Sequence, residues 1–414
     1  MRSEVFSADS RRDQAMSEPP QKSWKVLHVI DTLGSSGGAE QQLAANLAHF
    51  TDPRLEHHVA AIFPATSGRL DAEIAEVARS VTVLYPDKTS GSRLGAMRRL
   101  DRLVGTLSPD LMHCSLAVAS LATRFVGWRR RIPVVESLVN ISHEDIRTVD
   151  NPNVTRWKLR VHRLVDRVTM RAVTRFHAIS HTVARSWVET VGIPESKITV
   201  IPRGVDVENL NRLAELGPSR KELLDSLGLP PDARIILNVG RHEPQKGQRY
   251  LIEAMAEIVA SRPDAILLIV GREGNSTIEL DRLISELGLS DTVRLLGPRD
   301  DVPALMRAAD IFAFPSLFEG LGVALLEAMA LGAPVVASDT PPVNQVCEHG
   351  RGGLLCEPAN PDDLVRAIHE TFDDPDGAME RRLRARRRVL SDFSVELTSS
   401  RVEGCCLELL SREE

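Results

Sequence analysis

The stretch IFAFPSLFEGLGVALLEAMALGAPVVAS, residues 311–338, contains two short apolar runs separated by a glycine-rich turn and a helix-like segment. IFAFPS and APVVAS have the length and composition of buried strands, and VALLEAMAL between them is typical of a helix. Two strands joined by a helix predict parallel neighbours in one sheet, because antiparallel neighbours need only a short turn. This unit therefore indicates an α/β protein.

The same alternation of apolar runs and helix-like segments extends through most of the 414 residues. Further apolar runs lie at 25–32, 57–63, 81–85, 111–117, 132–139, 175–180, 197–206, 234–240, 265–271, 292–297 and 352–356. Strands that alternate with helices predict parallel sheets covered on both faces. We predict two doubly wound, Rossmann-like domains that face each other across a cleft.

The predicted domain boundaries follow from changes in composition and from turn signals. A polar start without an apolar core predicts a disordered leader and no signal peptide. Gly-Pro and Pro-Pro pairs mark the linker. The segments are a leader over 1–23, an N-terminal domain over 24–205, a linker over 206–232, a C-terminal domain over 233–391 and a C-terminal helix over 392–414.

Composition excludes several functional classes. Aromatic residues make up only 4% of the chain, which argues against a stacking platform for nucleic acid. No apolar run approaches the ~20 residues of a membrane span. The five cysteines show no CxxC spacing, so we expect no zinc site and a reducing, cytoplasmic location. The net charge of −6 conceals a basic first half and an acidic second half, which suggests two domains with different partners.

Two loops of the C-terminal domain carry candidate binding groups. After a strand that ends at Gly240, Arg241 and Lys246 precede a helix, and two cations beside a helix start suit a diphosphate. After the strand at 311–316, Glu319 lies in the loop and Glu327 about one turn into the helix, so both can face one ligand. A carboxylate suits the two hydroxyls of a ribose. The alternatives are a solvated basic loop and solvent-facing helix charges.

The turn GSSGG, residues 34–38, is the corresponding feature of the N-terminal domain. Gly37 and Gly38 precede a helix, where free backbone amides can meet an anion. The pattern is neither GxGxxG nor a phosphate-binding loop ending in Gly-Lys-Ser/Thr. A tight turn without a ligand is the equal alternative. The missing dinucleotide fingerprint also argues against an oxidoreductase.

Taken together, these motifs resemble the retaining glycosyltransferases of family 4, which have the GT-B fold. The similarity rests on VGRHEPQKGQRYLIEA (239–254), EGLGVALLEAMALGAPVV (319–336), VRLLGPRDDVPALMRAADIFAFPS (293–316) and ISHTVARSWVETVGIPESKITVIPRGVD (179–206). It extends over residues 24–390. The resemblance implies that a sugar moves from a nucleotide-diphosphate donor to a glycan or lipid-linked acceptor, without a cofactor or metal, in the synthesis of cell-surface polysaccharide or glycolipid.

The resemblance also implies individual roles. Arg241 and Lys246 would hold the donor diphosphate, and Glu319 would contact the donor sugar near the reacting carbon. Glu327 would bind the ribose, and retention would proceed by same-face attack through an oxocarbenium-like state. The remaining contacts would come from backbone: the phosphate or sugar by Gly320, Leu321 and Gly322, the base by Pro298 and Arg299, and donor and acceptor by Gly37 and Gly38.

Two departures from the family pattern keep other functions open. No histidine lies in VVESLVN (134–140), where many members carry one, although His113 is either a catalytic group facing the cleft or a core residue. Residues 340–345, TPPVNQ, replace the usual glycine pair and acidic residue. The alternative functions are a non-catalytic GT-B scaffold or binding protein and a GT-B phosphorylase or epimerase.

A basic amphipathic segment, residues 156–175, points to a possible membrane contact. It contains seven Lys and Arg and a single acidic residue, Asp166, with apolar residues at helical spacing. Such a helix can lie on anionic lipid. We expect either peripheral contact with the inner face of a membrane or a solvated helix face.

Overall fold

The computed structural model describes residues 23–34, 38–65, 70–86, 91–141, 143 and 155–411. The predicted leader lies outside these residues except for Ser23, and so does Gly37. Two parallel sheets organise the chain, which confirms the prediction of two Rossmann-like domains. Among the described residues, no helix is both long enough and apolar enough to cross a membrane.

The N-terminal sheet has seven strands in the order β3-β2-β1-β4-β5-β6-β7. Their bounds are β1 Trp24–Ile30, β2 Leu55–Ala61, β3 Ser80–Val83, β4 Leu111–Ser115, β5 Val134–Leu138, β6 Arg175–Ala178 and β7 Ile198–Val200. The helices between and after them are α1 Gly38–His49, α2 Asp71–Val77, α3 Arg93–Leu107, α4 Ala117–Arg130, α5 Arg156–Thr169 and α6 His181–Val191. The five strands between the edge strands β3 and β7 are mostly buried, as is typical of parallel sheets covered by helices.

The C-terminal sheet has six strands in the order β10-β9-β8-β11-β12-β13. Their bounds are β8 Arg234–Val239, β9 Ala265–Val270, β10 Val293–Leu295, β11 Ile311–Phe314, β12 Val335–Ser338 and β13 Leu354–Cys356. The helices of this half are α7 Val207–Leu216, α8 Arg220–Ser226, α9 Gln248–Ser261, α10 Thr277–Glu286, α11 Val302–Ala308, α12 Val323–Leu331, α13 Val343–Val346, α14 Pro361–Asp373, α15 Pro375–Asp392 and α16 Val395–Leu410. The predicted linker therefore carries two helices, α7 and α8.

The C-terminal helix α16 returns to the N-terminal domain. Glu403 accepts hydrogen bonds from the backbone amides of Thr51 and Asp52, at 3.0 and 2.8 Å. The hydroxyl of Ser399 donates to Asn46 at 3.1 Å. Because apolar residues of α16 also pack with Trp24, the last helix ties the two ends of the chain together.

Candidate functional site

The two C-terminal motif loops follow adjacent strands that lead to opposite sides of the sheet. Strand β8 pairs with β9 on one edge and with β11 on the other, where Ile311 lies opposite Ile236. The helices after two such strands lie on opposite faces of the sheet, and the loops that lead to them border a crevice at the carboxyl ends of the strands. The topology therefore brings the loop containing Lys246 and the loop containing Glu319 together.

Direct contacts hold these two loops side by side. Gly247 has a φ of +63°, and a Cβ there would lie 2.0 Å from the carbonyl oxygen of Pro315. Glycine is thus required both by conformation and by space. The backbone amide of Leu317 donates to the carbonyl of Gln245 at 2.8 Å, and the Gln245 side-chain amide donates to the carbonyl of Phe318 at 2.8 Å.

Lys246 and Glu319 form an ion pair across the two loops. The distance from Lys246 Nζ to Glu319 Oε1 is 2.7 Å, and Glu319 is 6% exposed. The ammonium also lies 5.9 Å from the centroid of the Phe314 ring. Since a buried carboxylate without a partner is costly, each charge fixes the other in place. The pair can offer an ammonium to phosphate and a carboxylate to sugar hydroxyls.

Arg241 is a second cation of the same loop, with a long side chain that extends into solvent. Its side chain is 57% exposed, and its nearest acidic partner is Glu243, at 3.6 Å. An exposed pair at this distance contributes little to stability. Arg241 can therefore turn toward an anion beside Lys246 without breaking a strong contact.

Glu327 lies in the second turn of α12, which begins directly after Gly322. Gly322 has a φ of +91°, a conformation that favours glycine. Burial raises the pKa of Glu327 to about 7, and no neighbouring charge or hydrogen bond among the described residues opposes that rise. Near neutral pH this carboxyl is therefore poised between its acid and its ionised form.

The loop after β10 places the residues expected to face the base. Arg299 donates two hydrogen bonds to Asp301, at 2.7 and 2.6 Å, so its guanidinium is already engaged. Pro298 is exposed. Asp301 stands at the start of α11 but forms no side-chain cap, because its carboxylate pairs with Arg299. Backbone groups at 298 and 299 remain for recognition of a base.

The loop that departs from the family pattern keeps unused polar atoms. The hydroxyl of Thr340 and the side-chain oxygen of Asn344 are buried without a hydrogen-bond partner among the described residues. The amide of Asn344 donates to Asp339 at 3.0 Å. In the described part of the chain, no cluster of three or more His, Cys, Asp or Glu is arranged to hold a metal ion.

The C-terminal loops touch the N-terminal domain at Gly320. The hydroxyl of Ser180 donates to the carbonyl of Gly320 at 2.6 Å. A Cβ on Gly320 would lie 2.9 Å from the carbonyl oxygen of Val139, so a side chain would push the domains apart. The cleft therefore has a C-terminal wall, formed by the loops at 241–247 and 315–322, and an N-terminal wall beyond β1, β4, β5 and β6.

His113 lies in a chain of hydrogen-bonded side chains behind the N-terminal wall. The order is His57, His28, His113, Ser137 and His177, with distances from 2.8 to 3.0 Å between neighbours, and the chain ends at a backbone carbonyl 2.7 Å from His177. A carbonyl only accepts, so each ring must carry its proton on the side that continues this direction.

Burial keeps these histidines neutral. Burial, assisted by the neighbouring histidines, lowers the pKa of His113 to about 3, and burial lowers the pKa values of His57 and His177 to about 4. Both ring nitrogens of His113 have protein partners. This geometry favours a buried, supporting role for His113 over a direct role in catalysis. This chain of hydrogen bonds could not be predicted from the sequence, because its members are far apart and lie within apolar runs.

Comparison with known proteins agrees with this architecture. The family model "Glycosyl transferases group 1" matches residues 219–389, and "Glycosyltransferase Family 4" matches residues 36–209. The D-inositol 3-phosphate glycosyltransferase of Thermobispora bispora is 30% identical over 304 residues, covering 69% of this chain and 68% of that protein.

Two further proteins are similar to this chain, one in sequence and one in fold. The UDP-Gal:alpha-D-GlcNAc-diphosphoundecaprenol alpha-1,3-galactosyltransferase of Escherichia coli is 26% identical, covering 64% of this chain and 67% of that protein. Anabaena HepE, solved with UDP and glucose, has the same fold, with a TM-score of 0.73 and 24% identity over 93% of this chain and all of that one. The chain belongs to the family 4, group 1 glycosyltransferases and has their GT-B fold.

Proposed function

We propose that the protein transfers a sugar, with retention of configuration and without a metal, from a nucleoside diphosphate sugar to a glycan or lipid-linked acceptor. The observation that carries this proposal is the Lys246–Glu319 pair at 2.7 Å in a crevice beside Arg241. The pair joins a phosphate-binding cation to a sugar-binding carboxylate, and a nucleoside diphosphate sugar contains both partners.

The charges supply the assistance that departure of a diphosphate requires. The bond between the anomeric carbon and the diphosphate oxygen breaks, and Lys246 and Arg241 stabilise the negative charge on that oxygen. The acceptor hydroxyl attacks the same face of the sugar, and its proton passes to the departing diphosphate. Glu319 positions the sugar, and Glu327 receives the ribose hydroxyls.

Relatives with phosphorylated and lipid-linked acceptors support an acceptor of similar chemistry for cell-surface polysaccharide or glycolipid. Two exposed regions of the N-terminal domain support contact with an anionic membrane from the cytoplasmic side. On α5, Trp157 is 72% exposed and Leu164 63% exposed among basic residues, and on α4, Trp128 is 69% exposed directly before Arg129. Preferential cosedimentation with anionic rather than neutral vesicles tests this contact.

The first experiment is a thermal-shift screen of UDP-, GDP- and ADP-sugars against the purified protein with EDTA present. A ligand that binds only the folded state must raise its melting temperature. We expect one nucleotide class to do so and the effect to be lost in Arg241→Ala. Transfer from that donor, with the product anomer assigned by NMR, then tests retention. Binding without turnover would indicate a scaffold. Transfer of the sugar to inorganic phosphate as acceptor would indicate a phosphorylase.

A further inference from the structure

Arg203 is a partly buried cation that has no partner among the residues that the structure describes. It lies in the turn after β7, and its Nε is shielded from water with no hydrogen-bond acceptor. Among the described residues it forms no ion pair, and burial lowers the pKa of Arg203 to about 10, so it remains charged at neutral pH. Burying a charged group without a hydrogen-bond partner is unfavourable, and the unsatisfied Nε makes this arrangement unusual for a purely structural arginine.

The nearest acidic group does not neutralise Arg203. Glu40 attracts the guanidinium electrostatically but makes no ion pair with it, and its Oε1 accepts a hydrogen bond from the hydroxyl of Thr32 at 3.1 Å. By contrast, Arg124 is the buried arginine that this domain does pair, with Glu136 at 2.6 and 2.7 Å. The fold thus supplies partners to a structural arginine and withholds them from Arg203.

The guanidinium reaches the start of α1, where backbone amides are free to bind an anion. A Cβ on Gly38 would lie 2.4 Å from a terminal nitrogen of Arg203, so a side chain at this position would push the guanidinium away from the start of α1. The first amides of a helix carry partial positive charge. Two sources of positive potential therefore converge at one point of the N-terminal wall.

The cavity beside Arg203 is lined by both polar and apolar side chains. Arg203 lines this cavity of about 30 Å³ with His28, His113, His177, Gln42 and Asn46, and no carboxylate lines it in the described part of the chain. That volume holds water rather than a sugar ring. The terminal nitrogens of Arg203, unlike its Nε, retain contact with solvent, so a ligand would meet them at the mouth of the cavity.

We propose that Arg203, together with the start of α1, binds a phosphoryl group of a substrate on the N-terminal wall. That the ligand is a substrate rests on the proposed transferase function, whereas the anion site itself does not. The phosphoryl group comes either from the donor diphosphate or from a phosphorylated acceptor, and both present the same oxygens to the guanidinium.

Five variants, two of them controls, separate the site from general effects on folding. Arg203→Met removes the charge, Arg203→Lys keeps it, and Gly38→Ala keeps the arginine but occupies its space. Gly404→Ala is the matched control for the glycine, because a Cβ there meets nothing within 4 Å in another helix. Arg282→Met, at a side chain 71% exposed, is the matched control for the arginine.

The measurement is the dissociation constant of inorganic phosphate and of UDP by calorimetry. We expect phosphate to bind the wild type and both controls, and to bind Arg203→Met and Gly38→Ala roughly 10-fold to 100-fold more weakly, as loss of a charged hydrogen bond implies. Arg203→Lys should retain most of the affinity. With no anion present, Arg203→Met should melt above the wild type, because the uncompensated charge is gone.

The two probes identify the source of the phosphoryl group. If UDP weakens together with phosphate, the group belongs to the donor. If only phosphate weakens, the group belongs to the acceptor. Equal phosphate affinity in Arg203→Met and the wild type, or no phosphate binding to the wild type, would overturn the proposal. If no nucleotide binds but phosphate binding still depends on Arg203, the proposed function fails and this anion site stands.

Discussion

The two walls of the cleft solve the problem of buried charge in opposite ways. On the C-terminal wall, Lys246 and Glu319 neutralise each other at 2.7 Å before any substrate arrives. On the N-terminal wall, Arg203 has no partner within the described ranges, and the nearby histidines are neutral and joined in one chain of hydrogen bonds. The C-terminal wall thus holds a neutralised ion pair, whereas the N-terminal wall holds an unpaired cation.

This difference suggests a division of work between the walls. A self-paired wall is organised in advance, which is what stabilisation of a developing charge requires. An unpaired cation instead gains its stabilising interaction only when a ligand supplies the anion. The unpaired cation of the N-terminal wall would then favour substrate binding, and the paired charges of the C-terminal wall would assist the chemical step.

The largest expected effect comes from breaking a pair that is purely structural. Arg124→Met leaves the buried carboxylate of Glu136 uncompensated, and we expect the free energy of unfolding to fall by about 3–5 kcal/mol. Chemical denaturation measures this change. Arg129→Met, at an exposed pair with Asp101, is the control and should cost less than about 1 kcal/mol. A small effect of Arg124→Met would remove the contrast on which the interpretation of Arg203 depends.

The next effect tests the wall that is already complete. Lys246→Ala should lower turnover about 10²-fold to 10³-fold, because the departing diphosphate loses a positioned cation. Steady-state kinetics with the donor found in the screen measure it, with circular dichroism to verify the fold. Lys221→Ala removes an exposed lysine paired with Asp225 and should leave turnover unchanged. An unaltered rate in Lys246→Ala would show that the pair is structural.

The fold was predictable because each strand is a local apolar run and each connection is long enough for a helix. Some strands are a few residues shorter than the predicted runs. The run IFAFPS, for example, includes the first residues of the loop that follows the strand. The pairing of Lys246 with Glu319 was within reach, because both follow adjacent parallel strands. The histidine chain was not, because it depends on which face of five strands each side chain occupies. Arg203 was hidden because lack of a partner is a property of three-dimensional packing.

Glu327 is the exception on the C-terminal wall, because its carboxyl has no charged partner among the described residues. Its substitution gives the smallest of the expected effects. Its folded-state pKa of about 7 lies above the ordinary value of 4.5, so its contribution to stability is present below pH 4.5 and is lost as pH rises through 7. Glu327→Gln removes this dependence. We expect the variant to gain about 1–3 kcal/mol over the wild type at pH 8.5 and little at pH 5, as denaturation midpoints at the two values would measure.

The same substitution should weaken nucleotide binding about 3-fold to 10-fold, because an amide oxygen is a poorer acceptor for ribose hydroxyls than a carboxylate. A protein that becomes more stable and binds less tightly is what an unpaired ligand-binding charge predicts. Glu279→Gln, at an exposed partner of Arg249, is the control that should change neither quantity. If Glu327→Gln instead destabilises the protein at pH 8.5, the carboxylate is compensated within the fold. An unpaired charge would then be a feature of the N-terminal wall alone, and it would not indicate a ligand contact on the C-terminal wall.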